Sequence, residues 1–272
     1  MPVLYSFRNE ELYCHHTLDE HPDPAGFTVH AHPVYEIYYF MRGEGRFLVE
    51  GKEYALSPGD FFVLRPAETH RLFISPDAPY ERIAVHFPAS LIEDEVMRDK
   101  LLESFRNRPL GVGNRYPAEK FPSLWRTFDH FLLRPGFERV QLVSRLMLFL
   151  TELYFMYNKG LPATGREGTF SSELIAYVNV HLYEEISLQS LADTFNRSMS
   201  QISRVFRQAT GTSLWDYVLR KRVISAHAML ERGEKATEVC YACGFSDYSN
   251  FYRAYKAHFG YAPSRFQHFN EP

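Results

Sequence analysis

The stretch SRVFRQATG, Ser203–Gly211, has a near copy in the same chain, YRAYKAHFG, Tyr252–Gly260. In both, an arginine is followed by an aromatic residue two positions later and a cation three positions later, and both end on glycine. Two copies of one pattern predict two copies of one supersecondary unit.

Capping signals around both copies predict pairs of short helices. The segment SMSQ, Ser198–Gln201, fits a capping box, and Gly211 suits the left-handed position that ends a helix. The other predicted helix starts and ends are Ser213, Gly233, Thr237, Ser246 and Gly260. Each copy is therefore the second helix of a helix-turn-helix unit, with Asn or Gly in the tight turn.

The apolar residues of the first copy, Ile202, Val205 and Phe206, share a face, which leaves a polar set outside. Arginine can bond guanine in the major groove, while serine and glutamine can bond other base edges. The predicted DNA-contacting residues are Ser200, Gln201, Ser203, Arg204 and Arg207, and Tyr248, Ser249, Asn250, Tyr252, Arg253 and Lys256. A connecting helix from Leu214 to about Arg232 would span roughly 27 Å, close to the roughly 34 Å between successive major grooves.

Because the overall composition is not basic, DNA binding would depend on where the positively charged residues lie. The 272 residues carry 30 Lys and Arg against 33 Asp and Glu, a net charge of −3. Residues 171–272 hold 11 cations and 10 acids, a net +1. Affinity should then depend on cations such as Arg220, Lys221 and Arg222, unless these only form a solvated helix face.

Three cysteines and the absence of a signal peptide or long apolar run predict a soluble, cytoplasmic protein without a disulfide framework. The CYAC segment is better explained by buried small side chains than by zinc.

Short apolar runs separated by turns fill residues 27–87 and predict an antiparallel barrel or sandwich. Turns are expected at Glu50–Lys52 and at Ser57–Asp60. Helical spacing follows Pro88 and recurs around Leu124, and a third run forms an apolar stripe. The stripe consists of Leu142, Leu146, Phe149, Leu150, Leu153 and Tyr157. It is either internal core or half of a dimer seam, and the seam is the favoured hypothesis.

The predicted organisation has four parts. Residues 1–90 form an effector-binding barrel, and residues 91–157 form a helical segment for dimerisation. Residues 158–170 are rich in Gly and Pro and read as a linker, and residues 171–272 form the DNA-binding domain. The fold class is thus a β-barrel with following helices joined to an all-α tandem helix-turn-helix domain.

The segment from Ser187 to Gln267 resembles the tandem helix-turn-helix domain of the AraC/XylS family of bacterial transcription regulators. The resemblance lies in Leu191-Ala192, Ser203-Arg204, GFSDYSNFYRAYK and the closing GYAPSRF. It implies that both reading helices enter adjacent major grooves of a promoter. Asn196 stands where the family usually has Gly, and Asn tolerates left-handed geometry.

The N-terminal half resembles the cupin barrel at HAHPVYE, His30–Glu36, and at PGDFFVLRPAETH, Pro58–His70. The resemblance implies metal ligands at His30, His32, Glu36 and His70, although the motif is incomplete because the Asn expected after the last His is missing. AraC-type regulators carry such barrels as effector domains, often for sugars. The implied effector-binding residues are His30, His32, Glu36, Tyr38, Arg65 and His70, with Tyr35 and Tyr39 as further candidate walls of the pocket.

We therefore expect a DNA-binding transcription regulator, not an enzyme, controlled by a sugar or another small polar metabolite. The alternative is a metal-dependent cupin enzyme with a helical appendage; a scaffold that does not bind DNA is a weaker one. No cofactor is required, although the barrel could hold a divalent transition metal. Expected partners are promoter double-stranded DNA, the effector and a second copy of the chain. The resemblance also admits RNA polymerase, and no membrane is expected.

Overall fold

The computed structural model describes residues 3–9, 11–122, 124, 139–159 and 170–264. The chain divides into two compact units. The first comprises Met1–Thr28 and Val34–Glu167, and the second comprises Val29–Pro33 and Gly168–Pro272. The helical segment predicted at 91–157 thus belongs to the same unit as the strands. Most of the predicted linker, the helix expected around Phe128 and the end of the GYAPSRF motif lie outside the described residues.

The N-terminal unit contains two antiparallel sheets. One has six strands in the order β1-β2-β8-β3-β6-β9, and the other has three in the order β5-β4-β7. The strands are β1 (Val3–Arg8), β2 (Tyr13–Asp19), β3 (Tyr35–Arg42), β4 (Gly45–Val49), β5 (Lys52–Ala55), β6 (Phe61–Leu64), β7 (His70–Ile74), β8 (Tyr80–Phe87) and β9 (Arg115–Tyr116). The sequence predicted the strands from β3 to β8 but missed β1, β2 and the short β9.

Both predicted turns form where turn chemistry places them. The β4–β5 hairpin turns through Glu50 and Gly51, whose φ angles of 48° and 77° are the positive values that a two-residue hairpin needs. The second turn closes with a hydrogen bond from the Asp60 amide to the Ser57 carbonyl, 3.0 Å long. These turns fix the register that aligns the strand faces.

Alternation along the strands separates two environments. On one face of the six-stranded sheet, Ile37, Val63 and Val85 belong to a core shared with the helices. On the other face, Tyr38, Phe62 and Tyr80 pack with Phe47 and other residues of the three-stranded sheet. The space between the sheets is therefore lined by the second set, and any polar residue on that face lies inside the barrel.

The helices of the N-terminal unit cover the outer face of the larger sheet. Those whose full extent is described are α1 (Glu95–Leu101), α2 (Glu103–Arg106) and α3 (Arg139–Lys159). The apolar stripe of α3 is core, because Leu142, Leu146 and Leu153 are completely or almost completely buried with the strand residues. The hypothesis that this stripe is a dimer seam is wrong for that face.

From residue 170 to 264, the C-terminal unit consists of helices joined by turns and short loops. Its helices are α4 (Phe170–Val180), α5 (Leu188–Thr194), α6 (Met199–Thr210), α7 (Leu214–Glu231), α8 (Ala236–Ala242) and α9 (Tyr248–Phe259). Two hydrophobic cores form around α7, which contributes Tyr217 and Val218 to the first and Val223 and Leu230 to the second. Cys240 and Cys243 are buried in the second core, and burial raises the pKa of the Cys243 thiol to about 11.

Two of the three cations on α7 are structural. Lys221 and Arg222 are only 2% and 6% exposed. The Arg222 guanidinium donates to the carbonyls of Leu182, Glu184 and Gly244 at 2.6–2.8 Å. Lys221 donates to the Asn179 side chain at 2.9 Å. The expectation that these two residues meet DNA or solvent is wrong, because each donates to a backbone or side-chain oxygen inside the unit.

Candidate DNA interface and effector site

The first helix-turn-helix unit consists of α5 and α6. Ser198 caps α6 by accepting from the Gln201 amide, and the Gln201 side chain accepts from the Ser198 amide in return, as the sequence predicted. Asn196 in the turn has a φ of 50°. Gly211 ends α6 with a φ of 75°. Asn therefore supplies the left-handed residue that the tight turn requires.

The second unit, α8 and α9, repeats this geometry with other residues. The cap of α9 is Asp247 rather than the predicted Ser246, because the Asp247 carboxylate accepts from the Asn250 amide at 2.8 Å. Helix α8 begins at Ala236 after Lys235, without a side-chain cap, so Thr237 is not a cap either. Gly244 in the turn has a φ of 77°, and a Cβ there would lie 2.5 Å from the Tyr183 carbonyl oxygen. Only glycine fits this turn without a shift.

The predicted readers of α6 lie on its solvent side. Ser200, Arg204 and Arg207 are exposed, and Ser203 is half-buried. Neither arginine makes a hydrogen bond or ion pair with the residues that the structure describes. Gln201 is exposed, but its carboxamide oxygen is already held 3.2 Å from the Ser198 amide. Two unengaged guanidinium groups thus stand one turn apart on one helix face.

The predicted readers of α9 are more constrained. Ser249, Asn250, Arg253 and Lys256 are exposed, while Tyr248 and Tyr252 are half-buried with their rings 6.5 Å apart. Arg253 donates to the Asn250 side-chain oxygen at 2.5 Å, and the Asn250 amide group contacts the Asp247 carboxylate. Arg253 is thereby oriented from the cap of its own helix.

Inside the barrel, one carboxylate lies between two imidazoles. Glu36 Oε2 is 3.3 Å from His70 Nε2 and 3.6 Å from His86 Nε2. His70 Nδ1 lies 2.8 Å from the Glu68 carbonyl oxygen, which can only accept, so the Nδ1 proton points there. Burial alone would lower the pKa of His70, but the adjacent Glu36 raises it above its ordinary value. The cluster therefore favours a proton or another cation between Glu36 and His70.

A second polar group occupies the same inner face. The Tyr38 and Tyr80 hydroxyls are 2.9 Å apart, and burial raises the pKa of Tyr80 to about 12, so it stays neutral. Arg82 Nη1 donates to His15 Nε2 at 2.8 Å, and its guanidinium carbon lies 5.8 Å from the Tyr38 ring centroid. Aromatic rings and hydrogen-bonding groups thus line this face together, as they do in small-molecule sites.

The structure separates the predicted effector residues into several places. Glu36, Tyr38 and His70 lie inside the barrel. Tyr35 and Tyr39 face the helical core instead. Arg65 donates to the Arg106 carbonyl at the end of α2, at 2.9 Å, and burial lowers its pKa.

The remaining two predicted ligands, His30 and His32, lie in the segment Val29–Pro33 of the second unit. They are half-buried, and their ring centroids are 5.0 Å apart. Glu36 and His70 belong to the first unit.

Sequence reasoning missed the inward polar residues of β2 and β8. In β8, Tyr80, Arg82 and His86 lie on one face, and they alternate with the apolar residues Ile83, Val85 and Phe87. That period of two was a usable signal, because polar residues on one face of an otherwise apolar strand indicate a polar interior. Tyr13 and His15 of β2 could not be found the same way, since the strand itself was not predicted.

Two family models match the chain. One, described as an AraC-like ligand binding domain, matches residues 17–130, and one described as a helix-turn-helix domain matches residues 191–268. A ligand-binding domain joined to a helix-turn-helix domain defines the chain as a DNA-binding regulator of transcription and not an enzyme. It belongs to the AraC family.

The chain is also similar to several proteins of known name. The HTH-type transcriptional activator RhaS of Enterobacter sp. (strain 638) is 26% identical over 257 residues, covering 88% of this chain and 87% of RhaS. The crystal structure of ToxT from Vibrio cholerae is 12% identical, covers 94% of this chain and 98% of ToxT, and has a TM-score of 0.40. The DNA-binding domain of AdpA in complex with a target DNA is 24% identical, covers 38% of this chain and 93% of that domain, and has a TM-score of 0.35. In the described part of the chain, no helix is long and apolar enough to cross a membrane.

Proposed function

We propose that the chain reads a specific promoter sequence with α6 and α9 and that a small polar effector in the barrel controls this binding. The supporting observation is the matched placement of Arg204 and Arg253, each exposed and each followed three residues later by an exposed cation. Serines and tyrosines beside these arginines would complete the base contacts, and Arg207 and Lys256 would hold phosphates.

Selection from a pool of randomised duplexes tests the DNA-binding part of this proposal. We expect enrichment of a bipartite sequence with two half-elements about one helical turn apart, since each reading helix would occupy one major groove. Recovery of unrelated sequences, with equal affinity for scrambled duplexes, would contradict it.

The effector is proposed to be a sugar or another small polar metabolite. Glu36, Tyr38 and His70 support this, because an aromatic face beside charged and hydrogen-bonding groups suits a hydroxylated ligand. A thermal-shift screen of sugars and small metabolites should find compounds that stabilise the protein and change its DNA affinity. We expect His70→Ala to abolish the effector response while DNA binding persists. A variant that retains the full response would exclude His70 from the site.

Metal binding by His30, His32, Glu36 and His70 stays a second proposal. The orientation of His70 supports it, because metal-bound histidines commonly donate their other ring N–H to a carbonyl. Elemental analysis of protein purified without a His tag tests it. Near-stoichiometric metal that is lost in His70→Ala would support coordination, and metal-free protein that still responds to an organic effector would contradict it.

A homodimer is also proposed, now through the outer face of α3. Val140, Leu148 and Phe155 are 63%, 60% and 52% exposed along that helix. An apolar face of this kind commonly packs against a partner. Leu148→Glu should give monomers with an intact fold in sedimentation experiments. Wild-type protein that stays monomeric at micromolar concentration would contradict the proposal. Contact with RNA polymerase would follow from activation and is open to test in reconstituted transcription.

A further inference from the structure

Arg82 lies at the centre of the larger sheet. In the β-ladders it pairs with Thr17 of β2 and with Phe40 of β3. It alternates with Ile83 and so shares the inner face with Tyr80. A guanidinium group is therefore placed inside the effector barrel, among aromatic rings.

Among the described residues, the hydrogen bonds of Arg82 leave its buried Nε–H unused. Nη1 donates to His15, while Nε is buried and has no hydrogen-bond partner in the described part of the chain. The Tyr80 hydroxyl also accepts a hydrogen bond from the guanidinium. The edge formed by Nε–H and Nη2–H presents two parallel donors, which is the arrangement that receives both oxygens of a carboxylate.

Among the described residues, no acidic group within 4.0 Å compensates the Arg82 charge. Its sequence neighbour Glu81 pairs with His16 at 2.7 Å. Glu36 attracts Arg82 from further away, while its carboxylate lies against His70 and His86. The Tyr38 and Tyr80 hydroxyls stay protonated because burial raises the pKa of both. The neighbours of Arg82 are thus mostly neutral, and several of them are donors.

Arg108 of the same unit is an example of a buried arginine with a structural role. It donates to both carboxylate oxygens of Glu68 at 2.7 Å and to the Val63 carbonyl at 3.0 Å. Buried charges are ordinarily paired and hydrogen-bonded in this way. Arg82 lacks such a partner, although it is half-buried and its Nε is fully buried. This difference indicates that the Arg82 guanidinium serves to bind a ligand.

We infer that the effector of this regulator carries a carboxylate, which binds the Nε–Nη2 edge of Arg82 between the sheets. This inference rests on the proposed function of the barrel as the effector site. Arg82 then selects acids over neutral compounds, and the Tyr38 and Tyr80 hydroxyls add hydrogen bonds to the bound group. The ligand class is therefore an organic acid or a sugar acid rather than a neutral sugar.

Matched charged and neutral probes test the inference on the full chain. Acetate is compared with acetamide, and glucuronate with glucose, at constant ionic strength. We expect each acid to raise the unfolding midpoint of the wild type, by about 4 °C at ten times its Kd, and each neutral counterpart to have no such effect. Arg82→Met should lose the response to acids, whereas Arg46→Met, which changes an arginine paired with Glu53 on the smaller sheet, should keep it.

The ligand-free variants provide a second readout. Arg82→Met should unfold at the same midpoint as the wild type or a higher one, whereas Arg108→Met should unfold at a clearly lower one. Equal effects of acids and neutral probes, or no effect of either acid, would overturn the inference, as would an Arg82→Met response like that of the wild type. A neutral sugar that stabilises the protein and changes DNA affinity would overturn it while leaving the proposed function standing. If the wild-type protein showed no sequence-specific DNA binding, that result would instead contradict the proposed function.

Discussion

The two helix-turn-helix units share one backbone design but position their arginines differently. The helices of each pair begin at matching places, since Leu188 and Ala236 are 48 residues apart and the caps Ser198 and Asp247 are 49 apart. In the first unit, the Arg204 side chain makes no hydrogen bond or ion pair with the described residues. In the second, Arg253 is bonded to Asn250 at 2.5 Å. The two units therefore share a backbone geometry, but only the Arg253 side chain is held in one orientation by a neighbouring residue.

The turns differ in the same way. Asn196 adopts its φ of 50° in a turn that tolerates a side chain. Gly244 sits where a Cβ would lie 2.5 Å from the Tyr183 carbonyl oxygen. The second unit is thus more tightly built, both in its turn and in its reading helix. We infer that the first unit adapts to DNA, whereas the second is preorganised.

The largest expected effect is on the second turn. Gly244→Ala should destabilise the C-terminal unit by about 3 kcal/mol, because it combines a left-handed φ with a contact to fixed backbone. Asn196→Gly, at the matching place, should change stability by less than about 0.5 kcal/mol. Urea unfolding of the full chain, followed by hydrogen exchange of the α9 amides, measures both. If Gly244→Ala lowered the free energy of unfolding by less than about 1 kcal/mol, the Tyr183 backbone would have to move aside at little cost.

Substitution of the proposed base readers comes next. Arg204→Ala and Arg253→Ala should each weaken the specific site by about 1–3 kcal/mol and relax preference at one base position. Lys256→Ala should weaken specific and scrambled duplexes alike, because a phosphate contact carries no sequence information. Salt-titrated binding to both duplexes provides the measurement. Equal, sequence-independent losses for all three variants would refute the division into readers and phosphate holders.

Asn250→Ala tests preorganisation itself. It should weaken specific binding by about 1 kcal/mol through the loss of the contact that orients Arg253. In an Arg253→Ala background the same change should cost nothing further, since Asn250 acts through Arg253. A double-mutant cycle on the selected duplex measures the coupling energy. Additive losses would mean that Asn250 contacts DNA directly and that the second unit is not preorganised in this way.

The caps should show the smallest effect and the closest match between units. Ser198→Ala and Asp247→Ala should each lower the free energy of unfolding by about 0.5–1 kcal/mol, because each leaves an amide of the first turn without its acceptor. Ser246→Ala is the control and should be neutral. Thermal unfolding of the three variants suffices. A loss of stability for Ser246→Ala as large as that for Asp247→Ala would mean that Ser246 caps α9, as the sequence predicted.

Local signals in the sequence determined the tandem helix-turn-helix units, the Ser198 capping box, the hairpin at Glu50 and the strands from β3 to β8. Each depends on neighbours within a few residues, where backbone preference and hydrophobic period act directly. The outward placement of Arg204 and Arg253 was predictable for the same reason. The family resemblance added the expectation that these helices read DNA.

Only the tertiary structure decided which groups share a space. Arg82, His15 and Glu36 come from three strands, and their approach depends on the pairing of β2, β8 and β3, which no local pattern specifies. The burial of the α3 stripe and the carbonyl contacts of Arg222 were decided in the same way. Strand pairing and helix packing join residues far apart in the chain, so the sequence determined the elements while the fold determined the barrel's chemistry.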